Sequence, residues 1–174
     1  MKGSGIIIAA GLLALVGGCK STKGLDVVGN FDAERYMGVW YEAVRYPHRF
    51  EKGMVAVSAT YSLNEDGTIK VINRGFKNGK KTQIEGAAKF KAKTDRGWLK
   101  VSFFKPFYAS YKVIYLDDDY TEAMVTGPTY GYFWILVRNP AIAPERLDRL
   151  IERAKALGFD EQKMIRVDQR RNRP

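Results

Sequence analysis

The chain has 174 residues, of which 45% are hydrophobic and 28% charged, so it fits one globular domain with a real core and not a disordered or fibrous protein. Cys19 is its only cysteine and His48 its only histidine, which excludes an intrachain disulfide and leaves no Cys/His cluster for zinc. A net charge of +10 suits anionic headgroups or nucleic acid, but outside the basic tail at 171–174 the charges are scattered.

The opening "MKGSGIIIAAGLLALVGGC" carries one lysine and an apolar run at 6–16. That run is too short to span a bilayer and matches the h-region of a secretory signal at 1–18. "VGGC" resembles the bacterial lipobox, with Val16 where leucine is commoner. The resemblance implies lipidation of Cys19, with more acyl chains than stable anchoring needs. Lys20 follows, not the aspartate that retains lipoproteins in the inner membrane. The implied location is the outer membrane, on its periplasmic face. Losing the signal removes one lysine, leaving 28 basic against 19 acidic residues, or +9. A secreted, tethered protein makes nucleic acid the weaker partner. Residues 19–29 then read as a lipidated start and a tether, with the folded domain at 30–170.

From Trp40 onward the dominant period is two. "VAVSATYSL" places Val57, Ala59 and Tyr61 on one face, and "NEDG" signals a tight turn. "TIKVINRGF" sets Ile69, Val71 and Asn73 against Lys70, Ile72 and Arg74, and Asn78-Gly79 predicts a hairpin. "TQIEGAAKFKA", "WLKVSFF", "ASYKVIYLDDDY", "EAMVTGP" and "YFWILVRNP" continue the pattern. "APERLDRLIERAKALGF" predicts one helix, with Pro144 in its first turn, Gly158 past its end and a single apolar stripe. "KMIRVDQ" predicts a last short strand. The expected fold is all-β: an eight-stranded up-and-down antiparallel barrel with one C-terminal helix on the outside. Gly75, Gly86, Ala59 and Ala88 among the inward positions suggest a barrel that keeps space inside.

"GVWY" after "NFDAERYM", "LDDDYTEAMV" and "FWILVRNP" occur in the order of the three lipocalin blocks. "RYMGVWYEAVRYPHRFEKG", "ATYSLNEDGTIKVINRG" and "LKVSFFKPFY" resemble the bacterial lipocalin (Blc-type) branch, near the plant temperature-induced lipocalins and apolipoprotein D. The threonine of the second block is missing. The resemblance implies that Trp40 plugs the closed end, that Arg138 lies across it, and that Gly38 admits the close approach. These three are expected to form a structural latch.

Alternation assigns the interior as Val57, Ala59, Tyr61, Val71, Asn73, Phe103, Tyr111, Val113, Tyr115, Tyr132, Trp134 and Leu136. Six of these resemble the apolipoprotein D pocket: Tyr61, Asn73, Phe103, Tyr111, Trp134 and Leu136. The lining is apolar with phenols and one amide, and no inward lysine or arginine is evident. It suits an acyl chain, so fatty acid or lysophospholipid is the expected cargo, with its head near Lys77, Arg74 and Lys105 at the mouth. A sterol, bilin or retinoid is the alternative, or a filled barrel acting as an envelope scaffold. Phe104, Phe107 and Tyr108 either form a membrane-contacting or gating rim or pack on one another. His48 reads as an exposed loop residue, the "DDD" run as a solvated turn and not a calcium site. No cofactor, metal or catalytic group is expected.

Overall fold

Short turns cut the chain into strands of similar length, and their residue types decide where. A computed structural model describes residues 20–91 and 93–173. The predicted signal and Cys19 lie outside those residues. A single-turn helix α1 (Ala33–Tyr36), capped by the Asp32 carboxylate, leads into β1 (Gly38–Arg45). Seven further strands follow: β2 (Met54–Leu63), β3 (Ile69–Lys77), β4 (Lys80–Phe90), β5 (Trp98–Phe104), β6 (Phe107–Leu116), β7 (Glu122–Thr126) and β8 (Phe133–Val137). Asn78 and Gly79 take φ of 51° and 76°, the double left-handed turn that matches strand twist. Each strand pairs antiparallel with the next, and β1 pairs with both β8 and β2, which closes the barrel.

One helix, α2 (Pro144–Ala156), lies outside. Leu147, Leu150, Ile151 and Ala154 pack on Val44, Met124, Phe133 and Ile135, the outward residues of β1, β7 and β8. Tyr46 belongs to this outer layer, its hydroxyl bonded to the Asp160 backbone. The predicted last strand shortens to β9 (Ile165–Arg166), which pairs with Val44 and Arg45. Beyond β9 the chain fills the seam where β1 and β2 part. Gln169 Nε2 donates to Glu42 O and Val57 O there, at 2.9 and 2.8 Å. Asn172 Nδ2 donates to Ala56 O at 2.9 Å, so part of the basic tail is built into the wall.

The expected tether is laid against the barrel instead. Thr22 Oγ1 donates to Gly127 O at 2.7 Å, and Lys112 Nζ donates to Thr22 O at 2.6 Å. Val28 N donates to Val113 O at 2.9 Å, and Phe31 N to Asp95 O at 2.9 Å. This segment has no periodic apolar pattern; main-chain pairing, the Thr22 and Lys112 side chains and the packing of Leu25, Val28 and Phe31 hold it. Residues 20–31 thus form a strap running along the outside from the β7–β8 turn to the opposite end.

That opposite end is sealed by one arginine. The Arg138 guanidinium carbon sits 4.0 Å from the Trp40 ring centroid. Its three nitrogens donate to the carbonyls of Arg35, Tyr36, Met37, Val39 and Tyr120 at 2.7–3.2 Å. Trp40 Nε1 donates to Tyr36 O at 2.8 Å. Gly38 has φ of 93°, and a Cβ there would lie 3.1 Å from Arg138 Nη1, so glycine meets two demands at once. Arg138→Ala should lower unfolding stability by about 2–4 kcal/mol in urea titrations, because it orphans several carbonyls together. A change in ligand affinity with unchanged stability would contradict the latch.

Candidate functional site

Above the latch the barrel is hollow. An inner chamber of about 320 Å³ is walled by Ala59, Tyr61, Val71, Val101, Phe103, Tyr111, Trp134 and Leu136. A vestibule of about 590 Å³ opens toward the β5–β6 turn, and the two share Phe50, Glu51, Asn73, Val101, Phe103 and Ala109. Both volumes fall in the range of small-molecule sites. The structure brings together ten of the twelve predicted interior residues: Val57 at the vestibule, and Ala59, Tyr61, Val71, Asn73, Phe103, Tyr111, Tyr132, Trp134 and Leu136 around the chamber.

Two do not reach the cavity. Val113 points inward but is buried in the packed layer near the latch, with Trp40, Leu99 and Val125. Tyr115 points out. A bulge between Val113 and Tyr115 shifts the register, so Tyr115 faces Met124 and stacks under the Arg153 guanidinium at 4.4 Å. The small interior residues leave less room than alternation suggests: at Gly86 a Cβ would meet the Phe103 ring at 2.6 Å, so that glycine is the seat of Phe103. Among the expected rim cations, Lys77 lines the vestibule. Arg74 lies on the outer face, bonded to Gln83 Oε1 and Thr60 Oγ1 at 3.0 Å.

The chamber floor is a cluster of phenols. Tyr111 OH lies 2.7 Å from Tyr36 OH and 3.0 Å from Tyr61 OH. Burial pushes all three phenols up, Tyr61 to about 12, so the floor is neutral.

One wall is charged, and it holds an inward arginine where none was expected. A bulge between Glu42 and Val44 puts Ala43 and Val44 both on the outer layer and turns Arg45 inward beside Glu42. Arg45 Nη1 donates to Glu42 Oε2 at 3.1 Å, and Nη2 donates to the carbonyls of Glu51 and Met54 at 3.1 and 2.8 Å. Its Nε is 3.9 Å from Glu51 Oε2. All three side chains are buried, and Glu42 and Glu51 line the chamber. Burial raises Glu42 well above the usual carboxyl range, with the Glu51 charge adding to it; burial raises Glu51 against the pull of Arg45. One guanidinium cannot balance two desolvated carboxylates, so the wall favours a proton on the pair. The signal in the sequence is the broken alternation of "WYEAVRY".

His48 is buried, not exposed, at 6% accessibility. Its ring centroid lies 5.4 Å from that of Phe50, 5.3 Å from Tyr132 and 4.4 Å from Trp134, in a stack drawn from two loops and a strand. Among the described residues, His48 Nε2, Glu51 Oε2 and Asn73 Oδ1 are buried without a hydrogen-bond partner. In the "DDD" run, Asp117 caps the turn, accepting from Thr121 N and Glu122 N at 2.7 Å, while Asp118 and Asp119 are exposed. No cluster that could hold a metal occurs among the described residues.

Residues 31–169 match the lipocalin-like domain family. The chain is 47% identical to the outer membrane lipoprotein Blc of Escherichia coli K12, over 94% of this chain and 96% of that protein. The chain belongs to the lipocalin family. It is also 40% identical to temperature-induced lipocalin-1 of Arabidopsis thaliana, over 84% of each. The fold is shared at lower identity: insecticyanin from the tobacco hornworm superposes with a TM-score of 0.67 at 21% identity, covering 83% of this chain and 84% of that one. Lipocalins are barrels that bind small hydrophobic molecules, and the blind, largely apolar chamber here has that form.

In this lipocalin the aromatic stack makes acid costly. His48 is lowered from 6.5 to about 4, by burial first and then by the Arg45 charge, against the backbone of Phe133. Unfolded His48 gains its proton near pH 6.5 while the folded one resists until about 4, so stability falls as pH drops through that window. The loss is at most about 3 kcal/mol. Glu42 and Glu51, raised in the fold, act with the opposite sign. A comparison with His48→Phe, which keeps a ring in the stack, isolates the histidine. Urea unfolding at about pH 7 and about pH 4.5 should show the wild type losing roughly 2 kcal/mol more than the variant. Equal losses would place the acid sensitivity elsewhere.

Proposed function

We propose that this lipocalin is a lipid carrier held at the bacterial outer membrane by an acylated Cys19, and that it takes up fatty acids or lysophospholipids tail-first. The observation that carries the reading is the apolar inner chamber, blind at the latch and continuous with a wider vestibule. A filled scaffold would not keep two connected hollows. The polar wall supports the orientation: Arg45 is taken up by Glu42 and the carbonyls of Glu51 and Met54, so the chamber offers an anionic head no free cation, while Lys77 offers it a partner in the vestibule. Each methylene buried would contribute ~0.8 kcal/mol before the cost of ordering the chain. A rigid sterol, bilin or retinoid is the alternative cargo for the same hollow. The relative at 47% identity is named an outer membrane lipoprotein, and "VGGC" ends on the cysteine such anchoring needs. No helix among the described residues is long and apolar enough to cross a membrane, so acyl chains on Cys19 would be the means of attachment.

Titrating delipidated protein with a fluorescent fatty acid, and following tryptophan quenching, should give saturable binding at micromolar concentrations. Absence of saturation would sink the carrier reading. Trp134→Ala should weaken that binding about tenfold, the equivalent of ~1.4 kcal/mol of lost ring contact. A Cys19→Ser chain should appear in the soluble periplasmic fraction; if it still sediments with membranes, the anchor is elsewhere.

A further inference from the structure

We infer that the barrel docks mouth-down on its own membrane, with Phe104 and Phe107 entering the lipid surface and a collar of lysines and arginine around them facing anionic headgroups. The inference rests on the reading that Cys19 is acylated, and three independent features of the open end carry it.

The first is the exposure of large aromatic rings at a single end. Phe104 and Phe107 are 73% and 79% exposed, at the two sides of the β5–β6 turn. Phe50, Ile84, Tyr108 and Tyr132 add exposed area around the same opening, and all of them line the cavity. The alternative, that Phe104 and Phe107 pack on each other, fails, since packed rings would not retain that exposure.

The second is charge. The loops at this end carry Arg49, Lys52, Lys77, Lys80, Lys81 and Lys105, all exposed and none in an ion pair among the described residues. Glu51 is buried against Arg45, and Asp160 and Glu161 in the neighbouring 157–163 segment are paired with Lys163 and Lys155. The turns at the closed end differ: exposed acids there, among them Glu65, Asp95, Asp118 and Asp119, offset cations such as Lys93 and Arg96. An anionic surface would therefore attract the mouth in preference to the floor.

The third is the anchor's position. Tyr130 N donates to Lys20 O at 2.8 Å, and Ser21 bridges Thr129, both in the β7–β8 turn at the mouth. Lys20 Nζ lies 5.1 Å from the Tyr130 ring. Because the strap is fixed to the wall, the described chain begins at the open rim with Lys20, the residue after Cys19 in sequence. An acylated Cys19 would then hold the mouth within a few ångströms of the leaflet, with no slack for the barrel to turn over.

The full chain, lipidated at Cys19 and carrying Phe107→Cys as its single free thiol, tests this. It would be labelled with an environment-sensitive fluorophore and placed in vesicles of phosphatidylethanolamine and phosphatidylglycerol containing a lipid-borne quencher. Asp118→Cys, on the exposed β6–β7 turn at the closed end, is the control. The label at 107 should shift to the blue and be quenched several-fold more than the label at 118. A Lys80→Glu, Lys81→Glu, Lys105→Glu chain should lose at least half of that quenching while remaining on the vesicles. Equal quenching at 107 and 118 on co-floating protein would overturn the docking and leave the carrier reading intact, since fatty acid titration reports on the latter alone. Failure of the chain to co-float would remove the anchor and the docking together.

Discussion

The contact between Arg138 and Trp40 makes the rest of the cavity possible. A closed barrel has two ends, and an end without a plug would leave a wet channel in which burying an acyl chain contributes little. Here a planar cation covers the indole and also gathers five main-chain carbonyls. The same residue therefore seals the floor, fixes α1 over it and satisfies backbone groups that water would otherwise have to reach. Tyr36 belongs to both sides of this arrangement. Its ring packs on Trp40, and its hydroxyl joins Tyr111 to make the chamber floor.

Away from the floor, the site depends on where the sheet departs from strict pairing. Register shifts at Glu42/Val44, Val55/Ser58, Val101/Phe104 and Val113/Tyr115 change which face a side chain meets. The shift in β1 turns Arg45 inward, and the one in β6 sends Tyr115 out. The shift after Val101 comes where β5 reaches the mouth, with Phe103 still lining the chamber and Phe104 standing at its lip. Without the shift in β1, Glu42 would still face inward, but with no arginine beside it. The buried group of Glu42, Arg45 and Glu51 is not a source of stability in itself, since desolvating three ionisable side chains costs more than their pairing returns. Its effect falls on selectivity: it places a polar, hydrogen-bonded group in the wall of a chamber that is otherwise largely apolar.

The same departures set how far the sequence could be read. Period-two alternation and Asn-Gly or Asp-Gly turns made the strands, the closure and the outside helix legible, because each depends on local pattern alone. The three-block resemblance carried Trp40 and Arg138, two residues almost a hundred positions apart. Ten interior positions followed from counting by twos. Tyr115, Arg45 and His48 did not, since a bulge or a stack of rings drawn from separate loops leaves no periodic trace. The strap was missed for a related reason: main-chain bonds such as Val28 N to Val113 O are blind to side-chain pattern.

The coverings of the barrel give these parts a common direction. Helix α2 occupies the outer face of β1, β7 and β8; the strap lies along β6; Gln169 and Asn172 fill the seam between β1 and β2; and the latch closes the floor. Each covering consumes apolar surface or backbone groups that would otherwise be exposed. Among the described residues, the mouth is where large exposed rings cluster and where unpaired cations gather. A carrier whose cargo has a single way in gains from presenting that way to the place where the cargo resides. The strap provides the means, because it brings the start of the folded chain to the same rim through which a lipid would have to pass.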